Sequence, residues 1–136
     1  LQSTGNFFSR TFEGSSQVFT IAKQLIKNKA FKQKFIERFC YCLKTTFDTD
    51  RLLAIYDSLT DDIASEMPYH IERWSYRWSD SNVVLRNLAS SPTSLSAWKS
   101  HVSTVREYIE TRTEYVTKQL KSYFGLTDAQ IKQYMS

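Results

Sequence analysis

Glycine and proline are scarce in this chain, with three and two residues among 136. So few turn-formers leave little material for tight bends, and the chain is expected to consist of a few long elements, which favours helices. Cysteine is equally rare. Cys40 and Cys42 are two apart on a predicted helix, so their side chains project about 200° from one another and cannot meet in a disulfide. His70 and His101 lie far from both thiols in sequence, no zinc-binding spacing exists, and the cysteines read as small apolar fillers. No run of about eighteen apolar residues is present, which excludes a membrane-spanning segment, and no basic-then-apolar leader opens the chain. The first residue is Leu1 rather than Met, so the sequence is expected to start at an internal point of a longer polypeptide.

Motifs that carry chemistry are missing as well. Three dispersed glycines cannot form a phosphate-cradling loop, and neither a metal-binding helix motif nor a nucleophile elbow occurs. Asp48-Thr49-Asp50 starts like a calcium loop but lacks the required Gly and terminal Glu. No catalytic, cofactor-binding or metal-binding residue is therefore expected in this chain.

Aromatic residues are plentiful, at 15%. A chain of 15.9 kDa can bury one core without metal or disulfide support, and one core is the expectation. Leu1 to about Ser16 has no helical period and reads as a loop or arm, whose Phe7, Phe8 and Phe12 must either fold back on the rest or form an exposed patch. From Gln17 onward the pattern is helical. Val18, Ile21, Ala22, Leu25 and Ile26 make one stripe that Asn28 would stop. Phe31, Phe35, Ile36, Phe39, Cys42 and Leu43 make a second. Asp48 is placed to cap a third helix striped by Leu52, Ile55, Tyr56, Leu59, Ile63 and Met67. Pro68 ends or kinks that helix, and a new stretch follows through Ile71 and Trp74. Asn82 to Leu88 is expected to be helical and Ser90 to Ser94 a loop. Trp98, Val102, Val105, Ile109, Val116, Leu120 and Phe124 then define a helix of nearly thirty residues that Gly125 ends. Thr127 and Gln130 have the spacing of a capping box, which predicts a short terminal helix. The fold class is all-α, a helical bundle.

Charge is uneven. Between Ile21 and Lys44 stand seven basic residues and one acid, Glu37, a local balance of +6 that leaves −2 for the remainder of a chain whose total is +4. Such a patch could neutralise nucleic-acid phosphates, but the aromatics between the lysines keep core-facing spacing, which argues for a solvated face or an acidic protein partner instead. Asp57, Asp61, Asp62 and Glu66 pair at four-residue spacing and also read as a solvated face. His70, Arg73 and Trp74 read as anchors, with the indole buried and its N-H satisfied. Arg112 reads as a buried ion-pair partner.

Two runs carry a resemblance. Glu66-Met67-Pro68-Tyr69-His70-Ile71-Glu72-Arg73-Trp74 and, about forty residues on, Arg112 to Leu126 with its Phe124-Gly125-Leu126 ending are similar in order and content to the C-terminal part of the CotH family, the spore-coat-type atypical protein kinases. Leu25 to Phe39 and Asp50 to Asp57 resemble further family segments, so the similarity covers about Phe19 to Leu126. Tyr69 departs from a frequent Arg, and Thr113 from a frequent Pro. The resemblance implies the helical lobe of a kinase-like transferase that uses ATP with Mg or Mn to phosphorylate protein hydroxyls, with the catalytic groups N-terminal to Leu1. It further implies a bacterial protein of the spore coat, cell surface or exported set, and the rest of the same polypeptide as partner for a lobe spanning residues 17–136. Met67, Pro68, His70, Trp74, Trp98, Arg112 and Phe124 are its structural signatures. The alternative is a stand-alone helical interaction module that uses the basic face or exposed phenylalanines.

Overall fold

The computed structural model describes residues 5–15, 17–74 and 92–136, so the expected helix at Asn82 to Leu88 lies outside the described residues. Among the described residues the fold is all-α, with seven α-helices and no strand. In order these are α1 (Phe7–Phe12), α2 (Thr20–Leu25) after a 3-10 turn at Gln17–Phe19, α3 (Lys29–Lys44), α4 (Thr49–Ala64), α5 (Met67–Trp74), α6 (Leu95–Phe124) and α7 (Asp128–Met135).

Most boundaries follow from side-chain caps. Asn28 was expected to stop a helix. It starts one instead, its carboxamide oxygen accepting the Phe31 N-H at 3.1 Å, while α2 ends at Leu25. Asp48 accepts from the Arg51 N-H at 2.9 Å, and Ser94 from the Ala97 N-H at 3.1 Å, so each satisfies an orphan donor of a first turn. Pro68 sits in the first turn of α5, where its missing N-H costs nothing. Gly125 takes φ +65°, and the Leu126 N-H returns to the Lys121 carbonyl at 3.0 Å, a Schellman closure of α6. Two residues later the Thr127 and Gln130 capping box opens α7.

The chain divides into two compact units, residues 1–52 with 108–136 and residues 53–107, and the one core that was expected lies in the first. The first unit holds every buried apolar side chain among the described residues: Phe8, Phe12, Ile36, Cys40, Leu43, Val116 and Leu120. Here the reading of the N-terminal arm as a loop is corrected. Asn6 caps α1 by accepting from the N-H groups of Phe8 and Ser9, and Phe8 has no exposed surface. Its ring packs against Phe39 at 5.1 Å, Phe124 at 5.6 Å and Tyr123 at 6.1 Å between centroids. Phe12 meets Phe35 at 5.4 Å. Edge-to-face pairs of this kind contribute about 0.5–1.5 kcal/mol each beyond the area they bury. A six-residue helix is too short to persist alone, so packing rather than propensity creates α1. It ends where Gly14 passes Arg10: a Cβ at Gly14 would lie 2.4 Å from the Arg10 carbonyl oxygen.

Gln119 ties α1 to α6. Its side chain accepts from the Phe7 N-H at 3.2 Å and donates to the Gly5 carbonyl at 3.1 Å, and its own carbonyl accepts from Asn6 Nδ2 at 3.1 Å. All three bonds join positions more than a hundred residues apart, and they let a polar side chain lie buried beside the aromatic cluster. On the other side of this unit α7 rests along α3, with Gln33 donating to the Tyr134 hydroxyl at 2.8 Å and Lys44 donating to the Ser136 carbonyl.

The second unit is built differently. No described residue within it is fully buried. α4 meets α6 through polar groups: the Tyr56 hydroxyl donates to the Val102 carbonyl at 3.0 Å, and Arg106 holds both Asp57 carboxylate oxygens at 2.6 and 2.7 Å. The stripe expected to face a core splits: Leu52, Tyr56 and Met67 are half-buried, whereas Ile55, Leu59 and Ile63 are exposed by 47, 61 and 49%. In the first unit the α2 stripe splits likewise. Ala22 and Ile26 pack on the core, whereas Ile21 and Leu25 are exposed, as is Phe31 at the start of α3.

Candidate functional site

The first unit encloses two adjoining apolar cavities that share Phe39, Leu43 and Phe47 as walls. One, of about 200 Å³, is completed by Phe7, Leu52 and Val116 with Arg112 and Thr113 as its polar members. The other, of about 230 Å³, adds Phe35, Cys42 and Arg38. The Thr113 hydroxyl donates to the Phe47 carbonyl at 3.4 Å and accepts from Thr49 at 3.2 Å, which fixes the α3–α4 connection against α6. The two arginines lie over tyrosines, Arg38 at 4.8 Å from the Tyr41 ring and Arg112 at 5.3 and 5.7 Å from those of Tyr108 and Tyr115. Arg112 was expected in a buried ion pair. Its guanidinium is half-buried and lies over two tyrosine rings, an arrangement that suits a planar, weakly hydrated cation.

A third, polar concavity of about 540 Å³ lies between α1 and the end of α6, with Ser9, Glu13, Lys32 and Tyr123 on its walls. Burial, then the charge and hydrogen bond of Glu13, push the Tyr123 phenol above its ordinary range. Cys40 is buried, and burial alone raises its thiol, which makes it a poor nucleophile. Cys42 is half-buried and also free, as the small-filler reading required.

The signature residues separate between the units. Met67, Pro68, His70 and Trp74 share α5, and Trp98 is half-buried near the start of α6, all in the second unit. Arg112 and Phe124 belong to the first, where Phe124 packs against the core. Trp74 is not the buried anchor expected: it is 41% exposed, with the Arg73 guanidinium 5.2 Å from its ring centroid. An eight-residue helix preceded by a turn leaves only Met67 and Ile71 half-covered. Sequence reading missed Gln119 and Asn6, whose partners lie at the far end of the chain. It also missed Tyr123 and Glu13, for which no periodic signal exists.

Among the described residues no three His, Cys, Asp or Glu side chains gather where they could hold a metal ion. Of the acidic stretch, Asp57 is engaged by Arg106, and Asp61, Asp62 and Glu66 are exposed on α4 and the turn that follows it. A nucleotide with its divalent metal needs converging carboxylates and donors aimed at phosphates. The residues present do not fit that group.

Among the described residues the fold is thus an all-α arrangement of two compact units. The model of the CotH kinase protein family matches residues 3–116, and the chain belongs to that family. The matched span starts well before Phe19 and so takes in α1, which makes the Phe-bearing arm part of the family domain. It stops at Val116, short of the Phe124-Gly125-Leu126 ending on which the resemblance partly rested. No curated protein and no solved structure matches the chain. Among the described residues no helix is long and apolar enough to cross a membrane.

Proposed function

We propose that this chain is a helical scaffold within a CotH-family protein kinase that transfers phosphate from ATP, with Mg or Mn, to protein hydroxyls, the phosphate- and metal-holding groups being supplied by other sequence of the same polypeptide. The observation that carries the reading is the family match across residues 3–116. Its complement is that the described residues bring together no constellation for phosphoryl transfer. The role of this chain in such an enzyme is positional: the aromatic cluster and the Gln119 clasp hold α1, α3 and α6 in one rigid unit against which a catalytic segment can be placed. Because transfer requires groups held in line around the γ-phosphate, a scaffold without them loses essentially the whole rate.

Incubation with radiolabelled ATP and Mg or Mn, run on this chain and on its complete reading frame in parallel, tests the proposal. Label is expected in protein only with the complete polypeptide. Labelling by the 136-residue chain would overturn the scaffold assignment. A silent complete polypeptide would favour the interaction module, to which the exposed Lys29, Lys32 and Lys34 of α3 give a basic docking face.

A further inference from the structure

The outward stripe of α4 is the most unusual surface of the molecule. A helix normally spends its apolar face on its neighbour and leaves its polar face in water. α4 does the reverse within the second unit: Tyr56 and Asp57 engage α6, while Ile55, Leu59 and Ile63 stay open. At about 100° per residue these three isoleucine and leucine positions form one ridge roughly 12 Å long that winds about 40° around the helix at each step. Its flanks are charged in an ordered way. Arg51 stands at the N-terminal end, Asp62 near the C-terminal end and Glu66 just beyond it, and all three are exposed.

That order is self-complementary. A second α4 laid antiparallel with Leu59 at the centre sets Ile55 against the partner's Ile63 and Leu59 against the partner's Leu59. The same operation brings Arg51 beside the partner's Glu66, and does so twice because a two-fold interface repeats every contact. A parallel copy would instead oppose Arg51 to Arg51 and Asp62 to Asp62. We propose that the α4 ridge is a self-association surface that takes a second copy of this chain, paired antiparallel about Leu59 through an apolar seam closed at each end by an Arg51 to Glu66 contact. The ridge offers only a few hundred Å² per copy, below the size of stable interfaces, so the dimer is weak, with half-association at about 0.1 mM. The surface is independent of the phosphoryl-transfer reading.

Sedimentation velocity on the 136-residue chain from about 10 μM to 1 mM gives the test. The wild type is expected to shift from monomer to dimer across that range. Leu59→Glu should stay monomeric throughout, because the seam cannot bury two carboxylates face to face. Arg51→Glu and Glu66→Arg should each weaken association about tenfold or more, since each creates two like-charge contacts. Mixed in equal amounts, these two variants should pair with one another at least as well as the wild type pairs with itself. The positions are exposed, so thermal melts should match the wild type. If Leu59→Glu fails that control, the charge-exchange mixture still decides. A wild type monomeric to 1 mM, undiminished dimerisation of Leu59→Glu, or a mixture no better than its components would each overturn the proposal.

Discussion

The two units of this chain spend aromatic and aliphatic side chains in opposite ways. In residues 1–52 and 108–136, drawn from both ends of the sequence, Phe8, Phe12, Phe35, Phe39, Tyr123 and Phe124 interlock around Leu120 and Cys40. In residues 53–107 polar groups join the helices and the apolar ridge faces solvent. An apolar stripe on a helix is therefore a statement about what the helix could bury. Whether it does so depends on a partner of matching shape, and the first unit has that partner because α1 supplies rings from outside the periodic helices.

Substitutions can sharpen or break this contrast. Phe8→Ala removes the most enclosed ring and should destabilise the first unit by about 3–5 kcal/mol, read as a fall in the urea midpoint. An unchanged midpoint would erase the difference between the units. Gln119→Ala removes the side-chain partner of the Phe7 N-H and one partner of Gly5, and a loss of about 1–3 kcal/mol is expected, with faster hydrogen exchange at Phe7 as its local signature. Gly125→Ala forces a Cβ into the left-handed region at φ +65° and should cost about 1–2 kcal/mol even though nothing lies within 4 Å to clash. In the second unit Trp74→Ala should cost less than Phe8→Ala, since Trp74 is 41% exposed whereas Phe8 is fully covered. Arg106→Ala should do likewise, because both partners of its ion pair are more than a third exposed and solvent screens it.

Burial separates the two cysteines. The folded state raises the Cys40 thiol above its unfolded value, so its contribution to stability is complete below about pH 8.5 and declines as pH rises through the folded value. Tyr123, also raised, adds a decline of the same sign at higher pH. The urea midpoint should therefore fall on the alkaline side, and Cys40→Ala should flatten the earlier part of that fall. At pH 8 a thiol reagent should modify Cys42 well before Cys40.

Local signals in the sequence were read correctly where the cause is local. The Gly125 stop, the Thr127 and Gln130 box, the Asp48 cap and the break at Pro68 all depend on residues within one turn of one another, and all stand in the structure. Apart from Asn28, whose capping of α3 rather than closing of α2 is itself a local matter, what failed depended on distant partners. Residues 7–12 carry no helical period because six residues cannot show one, and their helix exists through contacts with residues more than a hundred positions away. Ile55, Leu59 and Ile63 have faultless spacing, yet spacing cannot say which neighbour arrives. The candidate site was illegible for the same reason: one of its apolar cavities is walled jointly by α1, α3 and α6, elements far apart in the sequence.

The Gln119 clasp has a consequence for synthesis. During vectorial emergence from a ribosome, Phe8 and Phe12 appear early and must wait for Leu120, Tyr123 and Phe124 before their pocket exists. A nascent chain halted near residue 105 would expose those rings together with the α3 face meant to meet them, a sticky intermediate that invites chaperones. The loop that must close spans nearly the whole sequence, so ring closure comes last and sets the pace. Packing of the first unit thus depends on residues 7–12 and 116–124 finding each other across that loop.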